Sequence, residues 1–395
     1  MSKLDLTSLL VKLSVGAFLD QYWLKDALVV RSTERSRFRA LLSLAAIEPL
    51  IAASSPSEAG SIGLVRQREG IAATSLRGTK DGRINLAAVR DAYQEGFSVF
   101  VSQLHRRVAS VGVLCRSIEC ELLSLGVVLS DRVVAQAYLT PPDAQGFSIH
   151  YDDHEVLVLQ VEGNKEWFLY DRDAILPVKP QLGPERDNRD HPLSLRTTLE
   201  PGDVIYIPRG LFHEARATES HSLHISLSIY PTTWLELTRL LLDQEPCFRE
   251  ALPVGLGKLS PDALNQALSS RLHSAIDPDL AVERLADQLT QFQDNLEPLP
   301  GDGFSQINLA RTIGLDTIVV RSDANLPRII VDDTVLRFVA AGAVFEADID
   351  HLPAFEFILA QHRFAVGDLP ELDSDSKIDI ARRLVCDGVL SIVSD

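Results

Sequence analysis

The chain has 395 residues, 46% hydrophobic and 24% charged, a globular mixture that excludes disordered, collagenous and low-complexity classes. Lys plus Arg number 38 against 55 Asp plus Glu, and the net charge of −17 opposes nucleic acid and suits either a basic partner or solubility alone. The four cysteines, Cys115, Cys120, Cys247 and Cys386, form no CxxC pair, which argues against zinc ribbons and iron–sulfur clusters.

In chain order, MSKLDLTSLLVKLSVGAFLDQYW reads as an amphipathic helix interrupted by Lys12 and Asp20, not as a signal peptide. No apolar run approaches the roughly 18 residues of a membrane span, so a reducing cytoplasm is the expected location. Residues 1–125 read mostly helical, through FRALLSLAAIEPLI, a stretch over about 86–110, and RSIECELLSLG. Near residue 127 the character changes. VVLSDRVVAQAYLT is rich in β-branched residues and stops at Pro141-Pro142. GFSIHYD, EVLVLQV, KEWFLYD, DVIYIP, FHEARA and HSLHISLSIYP follow as short strands, which predicts an antiparallel sandwich or barrel. After Pro231 helices return, with a capping box at Thr233 and Glu236 and further starts at Ser260-Pro261 and Asp277-Pro278. EPLPGDG (297–303) is the linker candidate, and FAVGDLPELDSDSKIDIARRLVCDGVLSIVSD reads as helix, turn, helix and β wing.

Two signals carry chemistry. On a strand, His150 and Asp152 of His150-Tyr151-Asp152 point to one face. His213 closes the segment Gly202-Asp203-Val204-Ile205-Tyr206-Ile207-Pro208-Arg209-Gly210-Leu211-Phe212-His213, turn–strand–turn in character. Two imidazoles and one carboxylate on a metal leave open positions, the facial triad of non-haem Fe(II) oxygenases. His154 shares parity with His150 and Asp152, but three successive ligands would span about 13 Å, so it falls to the substrate side. Lys165 shares a strand face with Trp167 and Leu169, and a lysine on an apolar face needs an anion. Tyr138 and Thr140 lie on the preceding strand. Ser222, His224, Ser226 and Ser228 line one face of the last strand, either a pocket wall or a solvated edge.

The pattern G-x5-P-x-G-x2-H, intact from Gly202 to His213, is the second cupin motif. The stretch Tyr138-Leu139-Thr140-Pro141-Pro142 … His150-Tyr151-Asp152 … Val161-Glu162-Gly163-Asn164-Lys165-Glu166-Trp167 closely resembles the JmjC-type ribosomal oxygenases, the cupin-4 family. Phe18-Leu19-Asp20-Gln21-Tyr22-Trp23 … Leu28-Val29-Val30 resembles that family's opening helix and strand. The resemblance implies an α+β fold with a double-stranded β-helix core. It implies a catalytic domain with an N-terminal helical part over 1–231, a helical dimerisation segment over 232–300 and a winged-helix-like domain over 301–395. It implies Fe(II) on His150, Asp152 and His213, with 2-oxoglutarate chelating the iron, its far carboxylate on Lys165, and O2 as oxidant. Tyr138, Thr140, Gln136 and Ser228 then belong to the cosubstrate pocket, Gln136 standing where many members have Asn. No protein acid or base is required. The implied reaction is hydroxylation of a protein or peptide side chain, with a basic ribosomal protein as substrate and no role for nucleic acid or membrane. A dioxygenase of a natural product or ribosomally made peptide is the alternative. A metal-binding cupin without oxygenase activity is a third reading, which Lys165 opposes. Leu237, Leu240, Leu241, Leu280, Leu285 and Leu289 suit either packing within the chain or the homodimer contact that the resemblance implies.

Overall fold

The computed structural model describes residues 4–54, 61–67, 69–72, 83–171, 176–177, 192–252, 254, 260–275, 278–296, 299, 303–322, 324, 326–332 and 334–393. The chain divides into two compact units, one of residues 1–125 with 132–230, the other of 126–131 with 231–395.

The first unit is built on β1 (Leu28–Val30), β2 (Ile62–Arg66), β3 (Glu69–Ala72), β4 (Ser98–Val101), β5 (Val134–Thr140), β6 (Glu155–Tyr170), β7 (Leu193–Leu199), β8 (Val204–Ile207) and β9 (His213–Ile229). The order is β1-β8-β6-β9-β5-β4-β2-β3, with β7 added to β6. β6 and β9 pair antiparallel along nearly their whole length. On its other edge β6 takes β8 over Val156–Leu159 and β7 over Lys165–Tyr170. β6 thus carries β8 on its first half and β7 on its second within one wrapped sheet, the arrangement of a double-stranded β-helix. Bulges at Gln160/Glu162 and Gly163/Lys165 accommodate the bend. Gly163 has φ +61°, and a Cβ there would stand 1.7 Å from the His221 carbonyl oxygen.

Val156, Val158, Trp167, Leu169, Leu199, Ile205, Ile207 and Leu211 pack as one buried cluster beside this wrap. Along β6, Lys165, Trp167 and Leu169 are buried while Glu166 and Phe168 are half-buried, the alternation of a pleated strand with one face inside.

The N-terminal part departs from the helical reading. Its opening is two helices, Leu6–Leu9 and Val15–Gln21, broken where Val11 takes φ +60°. The helix over FRALLSLAAIEPLI covers only Leu44–Ala53. The stretch 86–110 is the helix Leu86–Gln94, strand β4, the turn of helix Leu104–Arg107 and the start of the helix Ala109–Ser124. Gly96, at φ +95°, ends the first helix, and the run Ser98-Val99-Phe100-Val101 is too short to show a period.

In the second unit the Thr233 capping box is present: Glu236 N donates to Thr233 Oγ1 (3.1 Å) and Thr233 N to Glu236 Oε2 (2.7 Å). Helices Trp234–Gln244, Pro261–Ala275 and Pro278–Asp294 follow. Most of the linker candidate 297–303 and the Asp277 cap lie outside the described residues. Residues 303–393 enclose a core around Val319, Phe338, Phe355, Ile358, Leu369 and Leu384. There Arg363–Ala365 is a strand rather than a helix, paired with Ile318–Val320, and the helix Ser374–Cys386 comes after it. No helix among the described residues is long and apolar enough to cross a membrane.

Candidate metal centre

His150 and Asp152 are not on a regular strand. They lie in the connection between β5 and β6, fixed by a single antiparallel bridge to the first residue of β9. His150 N donates to His213 O (3.0 Å) and His213 N to His150 O (2.8 Å). The turn before β9 adds a third tie, Gly210 N to Asp152 O at 2.9 Å. Convergence therefore comes from long-range backbone pairing, not from strand parity.

Each imidazole is oriented by a carbonyl two residues earlier. His150 Nδ1 meets Ser148 O at 2.8 Å and His213 Nδ1 meets Leu211 O at 2.9 Å. A carbonyl only accepts, so in the neutral rings Nδ1 carries the proton and Nε2 keeps its lone pair. One donor atom from each of His150, Asp152 and His213 lies within 4.8 Å of the others. His213 Nε2 is 3.6 Å from Asp152 Oδ2. Ligands at about 2.0–2.2 Å from one ion fit such spacing. Burial raises the Asp152 carboxyl, but His213 and His150 beside it bring it net below the usual carboxylate value. Burial, then the neighbouring His150, pushes His213 down to about 4. At neutral pH His213 is therefore a neutral imidazole and Asp152 a carboxylate, the states in which each can bind a metal.

The triad opens onto a cavity of about 190 Å³ that also takes Gln136, Tyr138, Thr140, Lys165 and Ser228 as lining. All eight residues singled out in the sequence thus meet in one place. Lys165 is 5% exposed. Its Nζ donates to Thr140 Oγ1 at 3.1 Å, and Ser98 Oγ donates to the same hydroxyl at 3.0 Å. Burial pushes the amine down to about 7. Among the described residues no carboxylate pairs with it. Tyr138 OH donates to Gln136 Oε1 at 3.0 Å, so Gln136 shapes the wall through the phenol.

The strand face of Ser226 and Ser228 is a pocket wall and not a solvated edge, because β5 and β6 flank β9 on both sides. His224 on that face went without a role in the sequence reading. It stacks on Tyr138 (5.0 Å, 14°) and meets Trp167 edge-on (5.8 Å, 74°). His224 Nδ1 and Trp167 Nε1 are both buried without a hydrogen-bond partner among the described residues. Phe147 lines the mouth, 38% exposed, its ring 5.6 Å from His150. Ser98 had no signal, since it sits in a segment with helical spacing. His154 stands on the wall with Nδ1 2.9 Å from Asp153 Oδ1 and its ring 4.9 Å from Tyr230, consistent with a place outside the triad.

Residues 121–237 match the JmjC domain family. The bifunctional lysine-specific demethylase and histidyl-hydroxylase NO66 of Drosophila persimilis is 32% identical over 229 residues, 58% of this chain and 32% of that protein. Ribosomal oxygenase 1 of Homo sapiens is 30% identical over 256 residues, 60% of this chain and 37% of that one. This chain therefore spans about a third of the length of these relatives. NO66 of Dictyostelium discoideum is 28% identical over 363 residues, 78% of this chain and 68% of its own. In fold, the chain is similar to YcfD, a ribosomal oxygenase from Escherichia coli, in complex with cobalt and 2-oxoglutarate. That match has a TM-score of 0.52 at 16% identity and covers 97% of this chain and 99% of the other.

Proposed function

We propose that this chain, whose residues 121–237 match the JmjC domain family, is an Fe(II)- and 2-oxoglutarate-dependent oxygenase that hydroxylates a side chain of a basic protein. The observation that carries the reading is Lys165: a buried cation with no carboxylate partner among the described residues, on the same cavity as a His–Asp–His set. A lysine held out of water without an acid is a site built for an anion. A cupin that only holds metal has no use for it.

The donor set fits iron. His150, Asp152 and His213 would hold it, each histidine presenting Nε2 and Asp152 an oxygen. The far carboxylate of 2-oxoglutarate would sit on Lys165 Nζ and Thr140 Oγ1. Bound there, the metal with 2-oxoglutarate and O2 supplies the oxidising power that places a hydroxyl on an unactivated C–H bond, with succinate and CO2 as co-products. The chain's own residues bind, orient and keep water away. Val156, Val158 and Trp167 give the cavity an apolar wall. No side chain need move a proton for the C–H step, so none is assigned as acid or base.

The charge of −17 suits a basic protein segment as substrate, and the relatives' names include ribosomal oxygenase and histidyl-hydroxylase. We place the enzyme in the cytoplasm as a homodimer joined through the helices of 232–295, whose Leu264, Leu268 and Val282 are exposed. Mass spectrometry of ribosomal proteins from cells with and without this chain tests the function. A peptide carrying one extra oxygen atom only in its presence is expected. Purified protein that converts 2-oxoglutarate to succinate while every ribosomal protein stays unmodified would move the substrate to a small molecule or short peptide.

A further inference from the structure

Behind the metal ligands lies a second buried carboxylate. Glu155 opens β6, three residues after Asp152, and is 0% exposed. Its Oε2 accepts from the Tyr206 hydroxyl, and its Oε1 accepts from Arg209 N at 3.3 Å. Arg209 belongs to the turn before His213, and the next residue, Gly210, donates its N–H to Asp152 O. That turn is therefore gripped twice, once by Glu155 and once by Asp152. Tyr206 is itself 0% exposed. Its ring stacks on Trp23 (5.9 Å, 18°) and meets Phe18 edge-on (4.9 Å, 86°), and its oxygen accepts from Leu24 N at 2.9 Å. Leu24 holds φ +60°, a left-handed conformation costly for a leucine, and the tyrosine oxygen pins it.

A strand start in an apolar core is ordinarily filled by an apolar residue, since a buried carboxylate tolerates its desolvation only where donors converge on it. Here the donors come from β8 and from the turn that precedes His213. The carboxylate thus fixes the segment carrying Asp152 against the segment carrying His213, and the aromatic cluster of the N-terminal helix fixes the carboxylate.

We propose that Glu155, anchored by Tyr206, is a positioning residue for the metal centre, setting the separation of Asp152 and His213 through the Pro208–Gly210 turn. The inference rests on the reading of His150, Asp152 and His213 as metal ligands. Groups that orient ligands from behind typically alter metal affinity by roughly 10–100-fold when removed.

Cobalt(II) is the probe, because its d–d absorption reports coordination geometry without turnover. Glu155→Ala should raise the cobalt Kd by roughly 10–100-fold and shift the d–d bands, with circular dichroism unchanged. Glu155→Gln should recover part of the affinity, since its carbonyl still accepts from Arg209 N and its amide can donate to the Tyr206 oxygen. Tyr206→Phe should weaken cobalt several-fold and should add little to Glu155→Ala, because both act on one chain of contacts. A folded Glu155→Ala protein with wild-type Kd and bands overturns the proposal. If that variant does not fold, wild-type Kd and bands in both Glu155→Gln and Tyr206→Phe overturn it. Asp152→Ala separates the two claims. If it binds cobalt like wild type, the ligand assignment falls. If it loses cobalt while the Glu155 and Tyr206 variants keep it, only the positioning role falls.

Discussion

Replacing Lys165 by Met keeps most of the aliphatic stem and deletes the charge. Among the described residues the charged amine donates to one hydroxyl, Thr140 Oγ1 at 3.1 Å, so two of its three donors are left for a ligand. A hydrogen bond to a charged group contributes about 1.5–3 kcal/mol, which predicts a roughly 10- to 150-fold higher Kd for 2-oxoglutarate in Lys165→Met. Metal affinity should change far less, because His150, Asp152 and His213 supply the converging donor atoms.

The same residue predicts a pH dependence of definite sign. Burial holds the free amine down to about 7. A carboxylate beside it favours the charged form and draws the value up again, so binding takes up a proton above neutrality. Below about pH 7 the amine is already charged and affinity should be flat. Above it, affinity should fall by up to about tenfold per pH unit, until the pH passes the raised value in the complex. Isothermal titration calorimetry of 2-oxoglutarate into cobalt-loaded protein, from about pH 6 to about pH 9, measures both effects. Lys165→Met should bind weakly and lose the slope. An unchanged Kd in that variant would refute the anchor. A weaker Kd with the wild-type slope would show that another group takes up the proton.

His150→Ala, Asp152→Ala and His213→Ala should each abolish 2-oxoglutarate turnover and metal retention in a folded protein; full activity with bound metal in any of them removes that residue from the centre. Gly163→Ala should destabilise by about 1–3 kcal/mol from the left-handed backbone alone, and by more from the contact with His221 O, read as a lower Tm; an unchanged Tm would contradict the bulge geometry. Light scattering should give 87 kDa, twice the 43.5 kDa chain, and Leu285→Arg should lower it, since a two-fold contact meets each substitution twice. A wild-type mass near 43.5 kDa at micromolar concentration would exclude the dimer.

What could be read from the chain was whatever is written locally. The turn at Gly202 is one case: its φ of +89° and the 2.4 Å that a Cβ would have to Glu34 O demand glycine, and the motif shows one. The burial of Lys165, Trp167 and Leu169 is another, because alternation within one strand survives whatever partners it finds. Strands β2 to β4 are the contrary case. At four or five residues each they carry no period, and β4 becomes a strand by pairing with β2 and β5, partners more than thirty residues away. Ser98, whose hydroxyl completes the contacts of Thr140 beneath Lys165, was hidden for that reason. Arg363–Ala365 likewise becomes a strand only because Ile318–Val320 lies alongside.

The fold brings the metal ligands together by a route that strand parity does not describe. Strand parity would place His150 and Asp152 side by side, yet neither lies in a named strand. Their approach to His213 is made by two reciprocal backbone bonds and by Gly210 N on Asp152 O, contacts spanning some sixty positions that leave no periodic trace. Residue identity was enough to recognise the chemistry because imidazole and carboxylate are needed whatever the backbone does. It was not enough to find what holds them. Glu155 reads in the sequence as one more charge among Asp152, Asp153 and His154. Only the burial of its carboxylate against Tyr206 and the Arg209 amide gives it a place in the geometry. Functional groups are legible by type, whereas the groups that aim them are legible only by contact.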